Sequence, residues 1–191
     1  YRTLPDLLAA LKHNPRDVLI GVSGTVGSQD WLKMALVAGK AGVDPKALRF
    51  VALEGGGEAF TAMQASYVQV VSGDASEATL YAVPGRVRVL AVLSEQRLPG
   101  VLSDVPTARE QGVDVVWPVI RGLWMGSKVS DADYQKWVKA FDKAQADPAY
   151  AGLRAAYGFY PFSLTGAALT RYIDKAVADY ERTARQFKLV R

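Results

Sequence analysis

The chain contains no cysteine and a single histidine among its 191 residues. Without cysteine there are no disulfides, no thiolate nucleophile and none of the cysteine-built zinc sites, although exported and cytosolic chains alike manage without it. With His13 as the sole imidazole, a catalytic triad must use that residue or none. No apolar run approaches the roughly 18 residues that a membrane-spanning helix requires, so direct membrane insertion is not expected. No opening segment joins a charged start, an apolar stretch and a small-residue cleavage site. Tyr1-Arg2-Thr3-Leu4-Pro5 reads instead as a helix entrance from the middle of a protein, with no leader before it. Charge of one sign is also scarce. The 23 Lys and Arg against 19 Asp and Glu leave a net +4 without a basic stripe, so nucleic acid is not an expected partner.

What is present is a hydrophobic half of the chain, enough for one large domain or two small ones, and a repeated strand-turn-helix pattern. Residues 18–41 organise the rest. Val18-Leu19-Ile20 reads as an apolar strand, Gly21-Val22-Ser23-Gly24-Thr25-Val26-Gly27-Ser28 as a glycine-rich turn, and Gln29 onward as a helix capped by Ser28. Such a turn lets the backbone pass close to a ligand. Its outward N–H groups, with the helix dipole behind them, favour an anion. A second unit runs from Arg49-Phe50-Val51-Ala52-Leu53 through Glu54-Gly55-Gly56-Gly57 into a helix over 58–65. A third runs from Val68-Gln69-Val70-Val71 through Ser72-Gly73-Asp74-Ala75-Ser76 into a helix over 77–82. In an open α/β sheet ligands sit beyond the carboxyl ends of the strands, so the three turns are expected to converge on one cleft.

Elsewhere, residues 3–14 read as an amphipathic helix with Leu4, Leu7, Leu8 and Leu11 inward and His13 solvated near its end. Trp31 is expected in the core and Gly42 at a left-handed helix stop. Pro84-Gly85 marks a tight bend, and residues 87–93, the longest strand-like run, read as a buried central strand. Residues 94–112 read as a polar surface excursion, and 113–117 as a further strand. Arg121, set in an apolar run, is expected to reach a protein carboxylate or a ligand anion, or to snorkel to the surface. Beyond it the pattern turns helical. Tyr134, Trp137, Val138 and Phe141 form one stripe, and Thr165 caps a last helix with Leu169, Tyr172, Ile173, Val177 and Tyr180 inward. A domain change is placed at 117–127, dividing the chain into 1–117 and 118–191.

The first turn satisfies no enzyme motif. Gly21, Gly24 and Gly27 miss the G-x-G-x-x-G spacing, Gly27-Ser28 lacks the phosphate-loop lysine, and Gly21-Val22-Ser23-Gly24-Thr25 ends the esterase elbow in threonine. Glu54 resembles a ribose-binding acid and keeps a nucleotide-cofactor enzyme of the doubly wound class as the alternative. Glu54, Glu58, Asp74 and Glu77 make a poor metal cluster by spacing and read as helix-start carboxylates. No cofactor is expected. The positive reading is a binder, not an enzyme, in which amides and small hydroxyls surround an acidic small molecule.

Six motifs stand in order: the Gly21-to-Ser28 turn, Ala41-Gly42-Val43-Asp44-Pro45, Glu54-Gly55-Gly56-Gly57-Glu58-Ala59, Val70-Val71-Ser72-Gly73, Arg88-Val89-Leu90-Ala91-Val92 and Asp104-Val105-Pro106-Thr107. Together they resemble the extracytoplasmic solute receptors of tripartite tricarboxylate transporters, the TctC or Bug family. The resemblance implies a type II periplasmic-binding-protein-like α/β fold, a periplasmic location, a small organic acid as ligand and membrane permease subunits as partners. It implies ligand-lining roles for Ser23, Gly24, Thr25, Gly27 and Ser28, for Gly55, Gly56 and Gly57, and for Ser72, Gly73 and Asp74. Arg121-Gly122 resembles the family's crossover segment, which adds Arg121 to the expected site. Family members carry an export signal and roughly a further third of chain before the first helix of this one. The sequence is therefore expected to hold one complete lobe and the C-terminal part of the other.

Overall fold

Apolar residues at helical spacing build the first element. Helix α1 (Leu4–His13) buries Leu4, Leu7, Leu8 and Leu11 along one face. Thr3 and Asp6 close a reciprocal capping box at its start, and Lys12 and His13 sit at the negative end of its dipole. These details belong to a computed structural model that describes residues 1–82 and 86–188; the bend read at Pro84-Gly85 lies outside the described residues.

The chain divides into two compact units, Tyr1–Val119 and Ile120–Arg191. In the first, strands β1 (Leu19–Ser23), β2 (Arg49–Leu53) and β3 (Val70–Ser72) form a parallel sheet in the order β2-β1-β3. Ser23 stands opposite Leu53 and Val22 opposite Ser72, so β1 and β2 end together and β3 ends one residue earlier. Helices α2 (Gln29–Lys40), α3 (Gly56–Gln64) and α4 (Ala75–Ala82) follow the strands in turn. Ser28 accepts the Trp31 N–H at the head of α2. At its tail, Gly42 and Val43 donate back to Gly39 and Ala38, and Gly42 adopts a φ of +81°. The core joins the leucines of α1 to Val18, Ile20 and Val22 of the central strand and to Met34, Val37 and Ala38 of α2. Each of these leucine, valine, isoleucine and methionine side chains contributes about 1.5–3 kcal/mol of transfer free energy. Trp31 is buried, tilted against Phe50 at 5.7 Å.

Three expectations are corrected here. Residues 87–93 are not a central strand: only Val92 pairs, through a single parallel bridge to Thr107, while Leu90, Ala91 and Leu93 lie half-buried against the core. Residues 113–117 likewise form no ladder, although Val113 and Val115 are buried and the Trp117 N–H reaches the Leu93 carbonyl. An apolar run favours burial, whereas a strand also needs a neighbour's row of N–H and C=O groups. The stretch 94–112 is no mere surface excursion, since Leu102, Thr107 and Ala108 are wholly buried beside its two 3₁₀ turns, Gly100–Leu102 and Arg109–Gln111.

The second unit holds α5 (Asp131–Gln145), α6 (Pro148–Ala156) and α7 (Gly166–Gln186). Ser130 and Asp147 cap the first two through their side chains. Thr165 stands at the N-cap of α7 as expected but makes no side-chain capping bond; its hydroxyl donates to Asp142 at 2.7 Å instead. Aromatic pairs Trp137–Phe141 and Phe162–Tyr172 add local contacts. Leu169, Tyr172 and Ile173 are half-buried, but Val177 and Tyr180 stand exposed, contrary to the inward stripe expected of them. Among the described residues no helix is long and apolar enough to cross a membrane.

Candidate functional site

The sheet order places the first turn between the other two. All three leave the carboxyl ends of parallel strands, and hydrogen bonds stitch them together: the Gly24 N–H donates to the Leu53 carbonyl at 2.8 Å, and the Ser72 hydroxyl to the Asp30 carbonyl at 2.7 Å. Within the first turn the Ser23 N–H is held by Asp30 and the Ser28 N–H by the Thr25 carbonyl. Among the described residues no protein acceptor meets the N–H groups of Thr25, Val26 or Gly27. Thr25 and Val26 are exposed and Gly27 half-buried, so these donors lie at or near the surface just before α2 begins, without a partner among the described residues. That is the arrangement an anion requires.

The second turn is built differently. Gly55 is the N-cap of α3 with no side-chain bond of its own, and the Glu54 N–H is taken by the Glu58 carboxylate at 2.7 Å. Gly56 is buried against the Glu77 carboxylate from α4, which occupies the space a Cβ there would fill. This positive helix end therefore already has an internal carboxylate beside it. Gly57 lies near the Tyr81 hydroxyl, and Tyr81 stacks on Phe60 at 4.7 Å, fixing α4 against α3.

In the third turn Ser72 and Gly73 are half-buried, while Asp74 turns inward and is only 8% exposed. Its carboxylate meets Lys33 Nζ at 3.1 Å, and the same ammonium donates to the Gly73 carbonyl at 2.9 Å. Asp30 Oδ1 lies 2.6 Å from that ammonium, an ionic contact off the direction of a regular hydrogen bond. Lys33 escaped the sequence reading. Its signal is a charge inside the apolar run Trp31-Leu32-Lys33-Met34-Ala35-Leu36, three residues after Asp30.

Of the expected site residues, the sheet gathers Ser23, Gly24, Thr25, Gly27, Ser28, Gly55, Gly56, Gly57, Ser72, Gly73 and Asp74 at one edge. Arg121 belongs to the second unit, in an exposed stretch without regular secondary structure, so the sheet does not position it. The cost of a buried arginine therefore does not arise there. Glu58, Asp74 and Glu77 are engaged separately, and among the described residues no group of three or more His, Asp or Glu could hold a metal ion.

Comparison with known proteins fits this arrangement. No curated protein matches the chain significantly. Among solved structures it is similar to a TctC solute-binding protein from Polaromonas, solved without ligand, at 22% identity and a TM-score of 0.75, over 97% of this chain and 62% of that one. It is also similar to an R. palustris protein solved with adipate, at 18% identity and a TM-score of 0.80, over 98% and 62% respectively. At these identities the likeness establishes the fold, and the chain spans 62% of the length of each of these structures. A family model described as tripartite tricarboxylate transporter family receptor matches residues 1–189. That family consists of solute-binding receptors rather than enzymes, which sets aside the nucleotide-cofactor alternative. The chain belongs to the tripartite tricarboxylate transporter receptors, the TctC family.

Proposed function

We propose that this chain binds a small carboxylate in the periplasm and, as part of a receptor, presents it to the permease of a tripartite tricarboxylate-type transporter. The observation that carries the reading is the set of Thr25, Val26 and Gly27 amides at the head of α2, which no acceptor of the protein meets among the described residues. Three N–H groups and a helix dipole suit a carboxylate, which accepts several charge-assisted hydrogen bonds at once. The hydroxyls of Ser23, Thr25 and Ser28 extend the donor set; Ser28 Oγ accepts from Trp31 yet keeps its own proton to give. Gly24 lets the turn close over them, and Gly55, Gly56, Gly57, Ser72 and Gly73 form the flanking walls. The R. palustris relative solved with adipate supports a dicarboxylate as the first ligand to try.

The test is a thermal melt with citrate, succinate, adipate and NAD(H), followed by calorimetric titration of any ligand that shifts it. At a hundredfold excess over Kd a ligand adds about 2.7 kcal/mol, a rise of several degrees for a chain of this size. A rise with one carboxylate and none with NAD(H) is expected. A rise with NAD(H) alone would overturn the reading.

A further inference from the structure

We propose that Asp30, Lys33 and Asp74 form a buried charged strut between the first and third turns, and that Lys33 is a positioning residue for carboxylate binding. The inference rests on the receptor function proposed above and deepens it. All three side chains are at least nine-tenths buried, at 4%, 5% and 9% exposure. The ammonium donates two hydrogen bonds, to Asp74 Oδ1 and to the Gly73 carbonyl, and makes a close ionic contact with Asp30 Oδ1. Asp30 extends the link. Its second oxygen accepts the Ser23 N–H at the end of β1, and its carbonyl accepts the Ser72 hydroxyl at the end of β3. One cation thus joins the last residue of the central strand, the first turn of α2 and the exit of β3.

Neither stability nor attraction accounts for this cluster. Replacing a buried ion group by apolar residues of similar volume is often neutral or stabilising, so burial of these charges is weak evidence of a role in stability. One ammonium between two carboxylates carries a net negative charge, which repels an anionic ligand. What the cluster supplies is geometry. Donors must be held to within about 0.5 Å of their productive place to bind well, and the strut fixes the segments on either side of the Thr25, Val26 and Gly27 amides. Asp74, on this account, acts through Lys33 and does not touch the ligand.

The full-length protein is titrated with adipate and with citrate, and melted, as wild type, as Lys33→Met and as the neutral triple variant Asp30→Asn, Lys33→Met, Asp74→Asn. The triple variant keeps an oxygen for the Ser23 N–H and leaves no unpaired charge. It is expected to melt near wild type yet bind about tenfold more weakly, the loss of one or two oriented hydrogen bonds. Binding as tight as wild type, or tighter because the negative charge is gone, would overturn the strut. Should the triple variant not fold, Asp74→Asn, which keeps the acceptor for Lys33, is expected to retain affinity where Asp74→Ala loses it. Equal losses in both mean a charge effect and refute positioning. If wild type binds neither acid, the receptor reading is what fails. The strut is then judged by ligand-free hydrogen exchange, where Lys33→Met is expected to speed exchange of the hydrogen-bonded amides of Ser23, Gly24 and Ser28 selectively, and unchanged exchange there would sink it.

Discussion

Gly24 shows how much of the first turn depends on one residue. Its φ of +81° lies in the left-handed region, and an added Cβ would stand 3.2 Å from the Ser28 Cβ. Gly24→Ala is expected to lower stability by about 1–2 kcal/mol, measured by urea denaturation, because an L-residue is strained there. Gly126→Ala, at an exposed position with nothing near the added Cβ, is the control and is expected to change stability by less than about 0.5 kcal/mol. Residue type announced such positions well: small residues at strand ends could be read directly as turns. Lys33 and Glu77 were harder to read, because their partners lie 41 residues and 21 residues away in sequence, and only the fold brings Asp74 to the one and Gly56 to the other.

At the scale of elements, ends were more legible than pairings. Thr3 and Ser28 cap as their sequence context indicates, because capping is local. The runs at 87–93 and 113–117 misled, because strand pairing depends on distant backbone that apolar composition does not describe. The caps also carry a pH dependence. Asp6 is held below the usual carboxylate range by the N–H groups of Arg2 and Thr3, and Glu110 by the N–H of Thr107 and then by Arg97. A carboxyl lowered on folding takes up its proton more readily in the unfolded chain. It therefore stabilises above the ordinary carboxylate value, near 4, and that stability is lost as pH falls through the lowered folded value. Melting temperature is expected to be level from pH 7 to about pH 5 and to decline below it. Asp6→Asn and Glu110→Gln should each flatten that decline while lowering the neutral plateau. An acid limb unchanged in both variants would show that the capping carboxylates do not govern it.

At the scale of the whole molecule, the two units bury their residues very differently. The first has a core of fully buried leucines and valines around β1, whereas no described residue of the second is fully buried, and Leu123, Trp124 and Trp137 stand more than half exposed. Helices α5 to α7 are amphipathic in sequence, and helices of 9 to 21 residues depend on packing of the apolar face more than on propensity. Partial burial contributes correspondingly less of the transfer free energy that holds a helix in place. Native-state hydrogen exchange of the 191-residue chain is therefore expected to split by unit. Amides of β1 and α2 should exchange only through openings that cost close to the global stability, while those of α5 to α7 should exchange through cheaper local openings that depend little on denaturant. Protection of the two sets at the same free energy would contradict this: it would mean that the faces bearing Trp137, Leu153 and Val177 are covered, and that the chain unfolds as one cooperative body.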